Sequence, residues 1–224
     1  MSRSPHSPKS DIKAEAQEFK RKRIIEVALK LFYERGYDST SVEAIAAEIG
    51  VTKPFIYSYF KNKQEILQIL YEQSAERVHD YVAAAAKGDG PVEARMERFL
   101  RDFTLENIDH QIASGVYLQE EKNLSEEGKS CIQKIERSFN QLLAGLITEG
   151  CQAGVFRVDD AKLAALSIAG VVRWVHRWYS AEGRMTPEDL ADHIARLGLA
   201  MVGYANKTGD VPPDVEKSAA GVAG

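Results

Sequence analysis

The sequence predicts an all-α protein. Apolar residues recur at intervals of three and four over most of the 224 residues, which is the spacing of one face of an α-helix. The 16 Gly and 7 Pro are few for this length, and they cluster near the ends and at a handful of breaks. There is no convincing alternation of the kind that marks a β-strand. We therefore expect about nine helices, three short ones followed by longer ones.

The first three helices are separated by glycines and cap-forming residues. The first carries a single apolar stripe and ends before Gly36. A cluster of cap formers at 38–41 precedes the second helix, which Gly50 ends. Thr52 is suited to cap the third, with Pro54 in its first turn, where proline is tolerated. Two short helices on either side of Gly50 form the helix-turn-helix arrangement.

Cap residues delimit the later helices as well. Asn62, Ser125 and Asp160 each precede a stretch with helical apolar spacing. Thr186 opens the last helix, with Pro187 in the first helical position and two acidic residues beside the positive end of the helix dipole.

These elements divide the chain into four segments. The predicted segments are a flexible basic arm at 1–17, a three-helix helix-turn-helix domain at 18–62, a larger helical domain at 63–205 and a disordered tail at 206–224.

Charge is distributed unevenly between the two ends of the chain. Residues 1–63 carry 12 Lys and Arg against 8 Asp and Glu, a net charge of +4, whereas the remainder carries −8. A basic first third on an acidic protein indicates contact with a polyanion, although a charge bias is also typical of a solvated face.

Several classes of protein are disfavoured. The polar N-terminus does not resemble a secretory signal, and no run of about 18 apolar residues is present, so we expect a cytoplasmic protein outside the membrane. Cys131 and Cys151 lie about 30 Å apart if they share one helix, which predicts free thiols. There is no nucleophile, nucleotide or metal motif, so we expect no enzyme activity, cofactor or metal. The histidines are scattered: His6, His79, His110, His176 and His193.

The third helix has the composition of a DNA-reading element. Ile56 and Phe60 lie four residues apart and are predicted to point into the core. Lysine can donate to guanine, aromatic groups can touch thymine methyls, and hydroxyls can reach phosphates. The alternative is that the aromatic residues fill a core, but two tyrosines on so short a helix cannot both be buried. The remaining surface consists of Lys53, Phe55, Tyr57, Ser58 and Tyr59.

Residues 19–67 resemble the DNA-binding domain of the TetR family of repressors. Three features carry the resemblance: an Ile-Ala pair in the first helix of the motif, Gly-Val-Thr at the turn, and Tyr-x-Tyr-Phe-x-x-Lys at its end. Phe55 is bulkier than the residue many members have there, so base preferences do not transfer. The resemblance implies phosphate contacts at Thr40, Thr52, Tyr57, Tyr59 and Lys63, and groove-facing positions at Lys53, Pro54 and Phe55.

Beyond residue 67 the resemblance implies an all-helical ligand-binding and dimerisation domain, whose last two long helices pair with their copies. Residues 174–194 also resemble members that sense acyl-CoA thioesters. Arginines and tryptophans there could hold a nucleotide-bearing ligand, or they could form a dimer interface with solvated arginines; both interpretations remain open. The candidate ligand-binding residues are Phe99, Phe103, Tyr117, Phe139, Arg173, Trp174, Arg177 and Trp178.

The predicted function is therefore that of a transcriptional repressor. We expect a homodimer that binds a palindromic operator in double-stranded DNA and is released by a small amphipathic effector, with an acyl-CoA thioester as the candidate. The alternatives are a DNA-binding protein without a ligand, and a regulator of a different effector class such as a hydrophobic drug. A helical enzyme is disfavoured by the lack of a catalytic constellation.

Overall fold

The computed structural model describes residues 8–205 of the chain, with side chains from residue 14 onward. Within that range the chain forms nine α-helices and a short 3₁₀ helix, Glu121–Asn123, and no strand, which confirms the all-α class. None of the described helices is long and apolar enough to cross a membrane. The helices are α1 (Pro8–Arg35), α2 (Val42–Ile49), α3 (Lys53–Tyr57), α4 (Lys63–Lys87), α5 (Val92–Asp109), α6 (Gln111–Gln119), α7 (Glu126–Gln152), α8 (Ala161–Trp178) and α9 (Pro187–Met201).

All but one of the predicted helix caps described below make the expected contacts. Gly50 has φ 80°, a left-handed conformation that glycine adopts without strain, and this allows the sharp turn between α2 and α3. Thr52 precedes α3 but makes no side-chain cap hydrogen bond. Four other cap residues accept hydrogen bonds from first-turn amides: Asn62, Ser125, Asp160 and Thr186.

Helix α1 begins earlier than the sequence pattern predicted. It starts at Pro8, so the prediction of a flexible arm is wrong for residues 8–17. That stretch contains no glycine and is rich in Ala, Glu, Lys and Gln, which favour helix without any packing partner. The side chains of residues 14–20 are all exposed. The rest of the predicted arm, and the predicted tail at 206–224, lie outside the described residues.

The buried apolar residues form two hydrophobic cores, each made by a different set of helices. The first joins α1, α2 and α3 to the start of α4 and also takes in Val116, Leu124 and Ile132. The second lies among α5, α7, α8 and α9. Helix α4 contributes Tyr71 to the first core and Val82 to the second. The predicted domain boundary coincides with the start of α4, yet this helix belongs to both cores.

Candidate nucleic-acid interface and internal cavity

Helix α3 has one buried side and one exposed side. Ile56 is 1% exposed and Phe60, just after the helix, is 2% exposed, so both lie in the core as predicted. The opposite side is accessible to a DNA groove. Its exposed residues are Thr52, Lys53, Pro54, Tyr57 and Ser58.

The exposed lysine of α3 already has a partner within the motif. Lys53 forms an ion pair with Glu43 at the start of α2, and its Nζ lies 5.8 Å from the centroid of the Tyr57 ring. The hydrogen bond that Lys53 donates to Glu43 raises the pKa of Lys53, so the ammonium is charged at neutral pH. Glu43 takes one of its three N–H groups, so Lys53 can donate to a base with the others or exchange this partner for the DNA.

Two further predicted contact residues are half-buried. The rings of Phe55 and Tyr59 pack against each other with centroids 5.2 Å apart. The Tyr59 carbonyl accepts a 3.5 Å hydrogen bond from Arg21 of α1, and the Arg21 guanidinium lies 4.8 Å from the centroid of the Phe60 ring. Helix α1 therefore supports the residues that follow α3, the predicted DNA-reading helix.

Thr40 lies inside the fold. It is 1% exposed, and its hydroxyl lies 3.1 Å from the Leu31 carbonyl and 2.8 Å from the Gly36 carbonyl. The hydroxyl has a single hydrogen, which it shares between these two carbonyls at the C-terminal end of α1. The predicted phosphate contact of Thr40 conflicts with this burial.

Lys63 is also directed inward. Its Nζ donates to the carbonyls of Tyr37 (2.6 Å) and Thr40 (2.8 Å) and lies 3.9 Å from the centroid of the Tyr37 ring. Burial lowers the pKa of this ammonium, while Asp38 and Glu120 act in the opposite direction. Two of its three N–H groups hold the α1–α2 turn against α4, which leaves one for the predicted phosphate contact.

A cavity of about 50 Å³ lies between α4, α5, α6 and α8. It is far smaller than the roughly 300–1,000 Å³ of typical ligand pockets, so the described arrangement has no room for a ligand of that size. Its lining mixes apolar and ionisable side chains, among them Arg77, Val78, Phe103, Glu106, Asn107, His110, Ser114, Tyr117 and Arg173.

One side of the cavity is organised by Glu106, which is 8% exposed. Its Oε1 lies 2.5 Å from Arg77 Nε and 3.1 Å from His110 Nδ1, and its Oε2 accepts a 3.4 Å hydrogen bond from the Tyr81 hydroxyl. A buried carboxylate needs such partners, because an unpaired charge in the interior is costly.

The other side of the cavity is organised by Glu136 of α7. Its Oε1 accepts hydrogen bonds from the Tyr117 hydroxyl (2.7 Å) and from Arg173 Nη1 (3.1 Å). Burial, and then the negative charge of Glu136, raises the pKa of Tyr117, so this phenol is protonated and donates. Each arginine at the cavity is thus neutralised by a glutamate.

The structure separates the predicted ligand-binding residues into three groups. Phe103, Tyr117 and Arg173 line the cavity. Phe99 and Phe139 pack with Phe103 in the second core and are each 1% exposed. The third group is exposed and does not line the cavity: the two tryptophans point away from the side of Arg173, whereas Arg177 lies one turn further along α8. That group is Trp174, Arg177 and Trp178.

The family comparisons cover both halves of the fold. Residues 24–70 match the family model "Bacterial regulatory proteins, tetR family", and residues 89–202 match "Tetracyclin repressor-like, C-terminal domain". The chain belongs to the TetR family. Matching families and relatives are transcriptional regulators, which confirms that this TetR-family protein is a DNA-binding regulator and not an enzyme.

Three relatives of this TetR-family protein are informative. The fatty acid metabolism regulator protein of Bacillus subtilis is 30% identical over 188 residues, 82% of this chain and 95% of its own length. A tetR-family protein from Rhodococcus RHA1 is 27% identical with a TM-score of 0.78, covering 83% of this chain and 98% of its own. AibR, solved with isovaleryl coenzyme A and operator DNA, is 25% identical with a TM-score of 0.71, covering 79% and 96%.

The outer face of α8 and α9 is apolar in this TetR-family protein. A Cβ built on Gly170, in the middle of α8, would have no atom within 4 Å. Contiguous exposed apolar surface of this kind marks an interaction site. Its side chains are each at least 40% exposed: Leu163, Leu166, Val171, Trp174, Trp178, Leu197 and Met201.

Sequence reasoning missed the carboxylates that organise the interior. Glu106 and Glu136 line or support the cavity, and Glu120, 9% exposed, lies at the end of α6. A signal was available for Glu106, because it falls on the same helical face as Phe99 and Phe103. Glu120 carried no such signal, since the stretch around it is irregular. Among the side chains that the structure describes, residues 14–205, no group of three His, Cys, Asp or Glu could hold a metal ion.

Proposed function

We propose that this regulator is a repressor that binds a palindromic operator as a homodimer and is released by an acyl-CoA thioester or a similarly large amphipathic acid. The observation that carries the proposal is the small cavity among α4, α5, α6 and α8, which α6 separates from the core of the helix-turn-helix domain. A ligand that fits only when the cavity is larger must favour an open arrangement. Such differential affinity is all that release of DNA requires.

The chemistry of the cavity supports an amphipathic ligand. Phe103 supplies an aromatic wall, and Arg77 and Arg173 supply two cations. An acyl chain would occupy the apolar side, and its acidic portion would compete with Glu136 for Arg173. The names of two relatives agree with this class: one regulates fatty acid metabolism, and AibR was solved with isovaleryl coenzyme A.

The two internally neutralised arginines support one rival proposal. Because Arg77 is paired with Glu106 and Arg173 with Glu136, an uncharged apolar effector would enter without breaking an ion pair. A hydrophobic drug is an effector of that kind. Titration of charged and uncharged compounds separates the two proposals.

The test begins with a DNA duplex selected by the wild-type protein from random sequence. The selected site should be an inverted repeat. Palmitoyl-CoA, palmitate, coenzyme A and an uncharged hydrophobic compound are then titrated into the complex while fluorescence anisotropy reports DNA binding. We expect palmitoyl-CoA to weaken DNA binding by about 5- to 150-fold, the usual range of allosteric coupling.

A matched pair of arginine variants locates the acidic portion of the effector. Arg173 lines the cavity, whereas Arg177 lies one turn away on the exposed side of α8. Arg173→Ala should raise the palmitoyl-CoA concentration needed for release about tenfold, and Arg177→Ala should leave it unchanged. Release by the uncharged compound alone, or an equal effect of the two variants, would contradict the proposed effector class.

A further inference from the structure

Helix α6 lies between the cavity and the core of the DNA-binding domain. Ala113 and Tyr117 line the cavity. Val116, on another side of the same helix, is 2% exposed in the first core, and its carbonyl accepts a 3.1 Å hydrogen bond from the Tyr71 hydroxyl. A nine-residue helix that contacts both regions can carry a displacement from one to the other.

The residue that follows α6, Glu120, contacts the helix-turn-helix directly. Its buried carboxylate accepts the backbone N–H of Tyr37 through Oε1 at 3.2 Å and the side-chain amide of Asn123 through Oε2 at 2.8 Å. Tyr37 follows Gly36, whose φ of 80° ends α1. The carboxylate therefore holds the backbone of the turn that leads from α1 into α2.

The same peptide segment is held from its other side by α4. Lys63 donates to the Tyr37 carbonyl at 2.6 Å, and Thr40, the next residue that Lys63 contacts, lies two residues before α2. The α1–α2 turn is thus fixed between a carboxylate on α6 and an ammonium on α4. A shift of either partner changes the direction in which α2 and α3 leave the turn.

We propose that Glu120 is a positioning residue through which displacement of α6 by a ligand reorients the helix-turn-helix. The inference rests on the proposed ligand control of DNA binding, but not on the identity of the ligand. It differs from coupling through α4 alone, which also reaches both cores and would bypass Glu120. Removal of the Glu120 carboxylate separates the two routes, because only the route through Glu120 needs it.

A steric wedge replaces the unidentified ligand in the test. Ala113 is 7% exposed and lines the cavity, so Ala113→Phe pushes on α6 from inside. Ile112, the preceding residue, is 42% exposed, and Ile112→Phe adds a ring on the outer side of the same helix as a control. Affinity for the selected duplex is measured by anisotropy, and circular dichroism confirms that each variant is folded.

A double-mutant cycle that combines Ala113→Phe with Glu120→Ala then measures how far the effect of the wedge on DNA affinity depends on Glu120. We expect Ala113→Phe to weaken DNA binding about tenfold in the presence of Glu120, and by less than about threefold in the Glu120→Ala protein. Glu120→Gln retains an acceptor for the Tyr37 N–H and should restore most of the tenfold effect. If Glu120→Ala only destabilised the fold, Ala113→Phe would weaken DNA binding by the same factor with and without Glu120.

The inference and the proposed function fail in different ways. If the wedge does not change DNA affinity, or weakens it equally with and without Glu120, Glu120 does not transmit the displacement. If the cycle behaves as expected but no acyl-CoA releases DNA, only the proposed effector is wrong. Ala113→Leu, a smaller wedge, takes the place of Ala113→Phe if the latter does not fold.

Discussion

At the residue scale, two predicted DNA-contacting lysines, one at the start of α3 and one at the start of α4, have different surroundings. Lys53 is exposed on α3 and paired only with Glu43, whereas Lys63 donates to two backbone carbonyls of the α1–α2 turn. The first can exchange its partner for DNA at little cost, because an exposed ion pair is weak. The second cannot leave the turn without losing its hydrogen bonds to the Tyr37 and Thr40 carbonyls, of which the Tyr37 carbonyl also accepts the Thr40 N–H.

These surroundings predict different effects of removing each lysine. Lys53→Ala should change base preference, with discrimination at one base pair reduced about tenfold if the lysine reads guanine. Lys63→Ala should weaken binding to all sequences alike and also lower the melting temperature, because the turn loses its brace. Binding to a panel of singly substituted duplexes and thermal unfolding measure both effects.

Glu43→Gln serves as the control for Lys53, since it frees the lysine without removing it. Equal losses across the panel for Lys53→Ala would show that this lysine contacts only the backbone. An unchanged melting temperature for Lys63→Ala would show that its two carbonyl contacts contribute little to stability.

The sequence predicted the outward and inward sides of α3 but not the burial of Thr40. Helical periodicity alone places Ile56 inward and Tyr57, which is 46% exposed, outward. The surroundings of Thr40 and Lys63 depend on which backbone carbonyls the tertiary fold brings next to these side chains. That information is absent from local spacing, and the family resemblance does not supply it for the individual chain.

At the element scale, capping residues predicted where several helices begin, whereas the apolar pattern did not predict the full length of every helix. Asn62, Ser125 and Thr186 cap the helices they were predicted to cap, because a side-chain oxygen that satisfies a first-turn amide is a local requirement. The start of α1 was misplaced because residues 8–17 form helix by propensity without an apolar stripe. Helix α6 was not delimited, since its short sequence lies between the first core and the cavity and has no single apolar face.

Arg95 of α5 joins three elements and gives a test at this scale. It is 5% exposed, donates to the carbonyls of Ala85 (3.1 Å) and Ala86 (3.4 Å) near the end of α4, and pairs with Glu149 of α7. Arg95→Met keeps the volume but removes the donors, so we expect the free energy of unfolding to fall by about 2 kcal/mol or more. Urea denaturation followed by circular dichroism measures it.

Glu149→Gln is the matched control, because the Glu149 side chain is 50% exposed and remains hydrated without its partner. Its cost should be smaller than that of Arg95→Met, because the glutamine amide oxygen still accepts a hydrogen bond from the buried Arg95. If Arg95→Met is no more destabilising than Glu149→Gln, the carbonyl contacts of Arg95 do not hold α4 to α5.

At the scale of the whole molecule, the sequence predicted two functional regions but not how α8 divides its residues between them. Arg173 and Trp174 are adjacent in the chain, yet Arg173 lines the cavity and Trp174 is 58% exposed on the outer face. The direction of each side chain follows from which side of α8 packs on the second core. That packing is a property of the assembled helices, so the interpretation of the segment as pocket or as dimer interface could not be decided from spacing.

The apolar outer face of α8 and α9 predicts a homodimer of twice the 24.9 kDa chain mass, held together near Gly170. Because nothing lies within 4 Å of a Cβ built there, Gly170→Arg should leave the single chain folded, yet it places a charge where a partner helix would pack. We expect light scattering to give the monomer mass and DNA binding to be lost. Gly170→Ala should remain dimeric, as should Ala84→Arg on the exposed side of α4. A Gly170→Arg protein that stays dimeric would place the interface elsewhere.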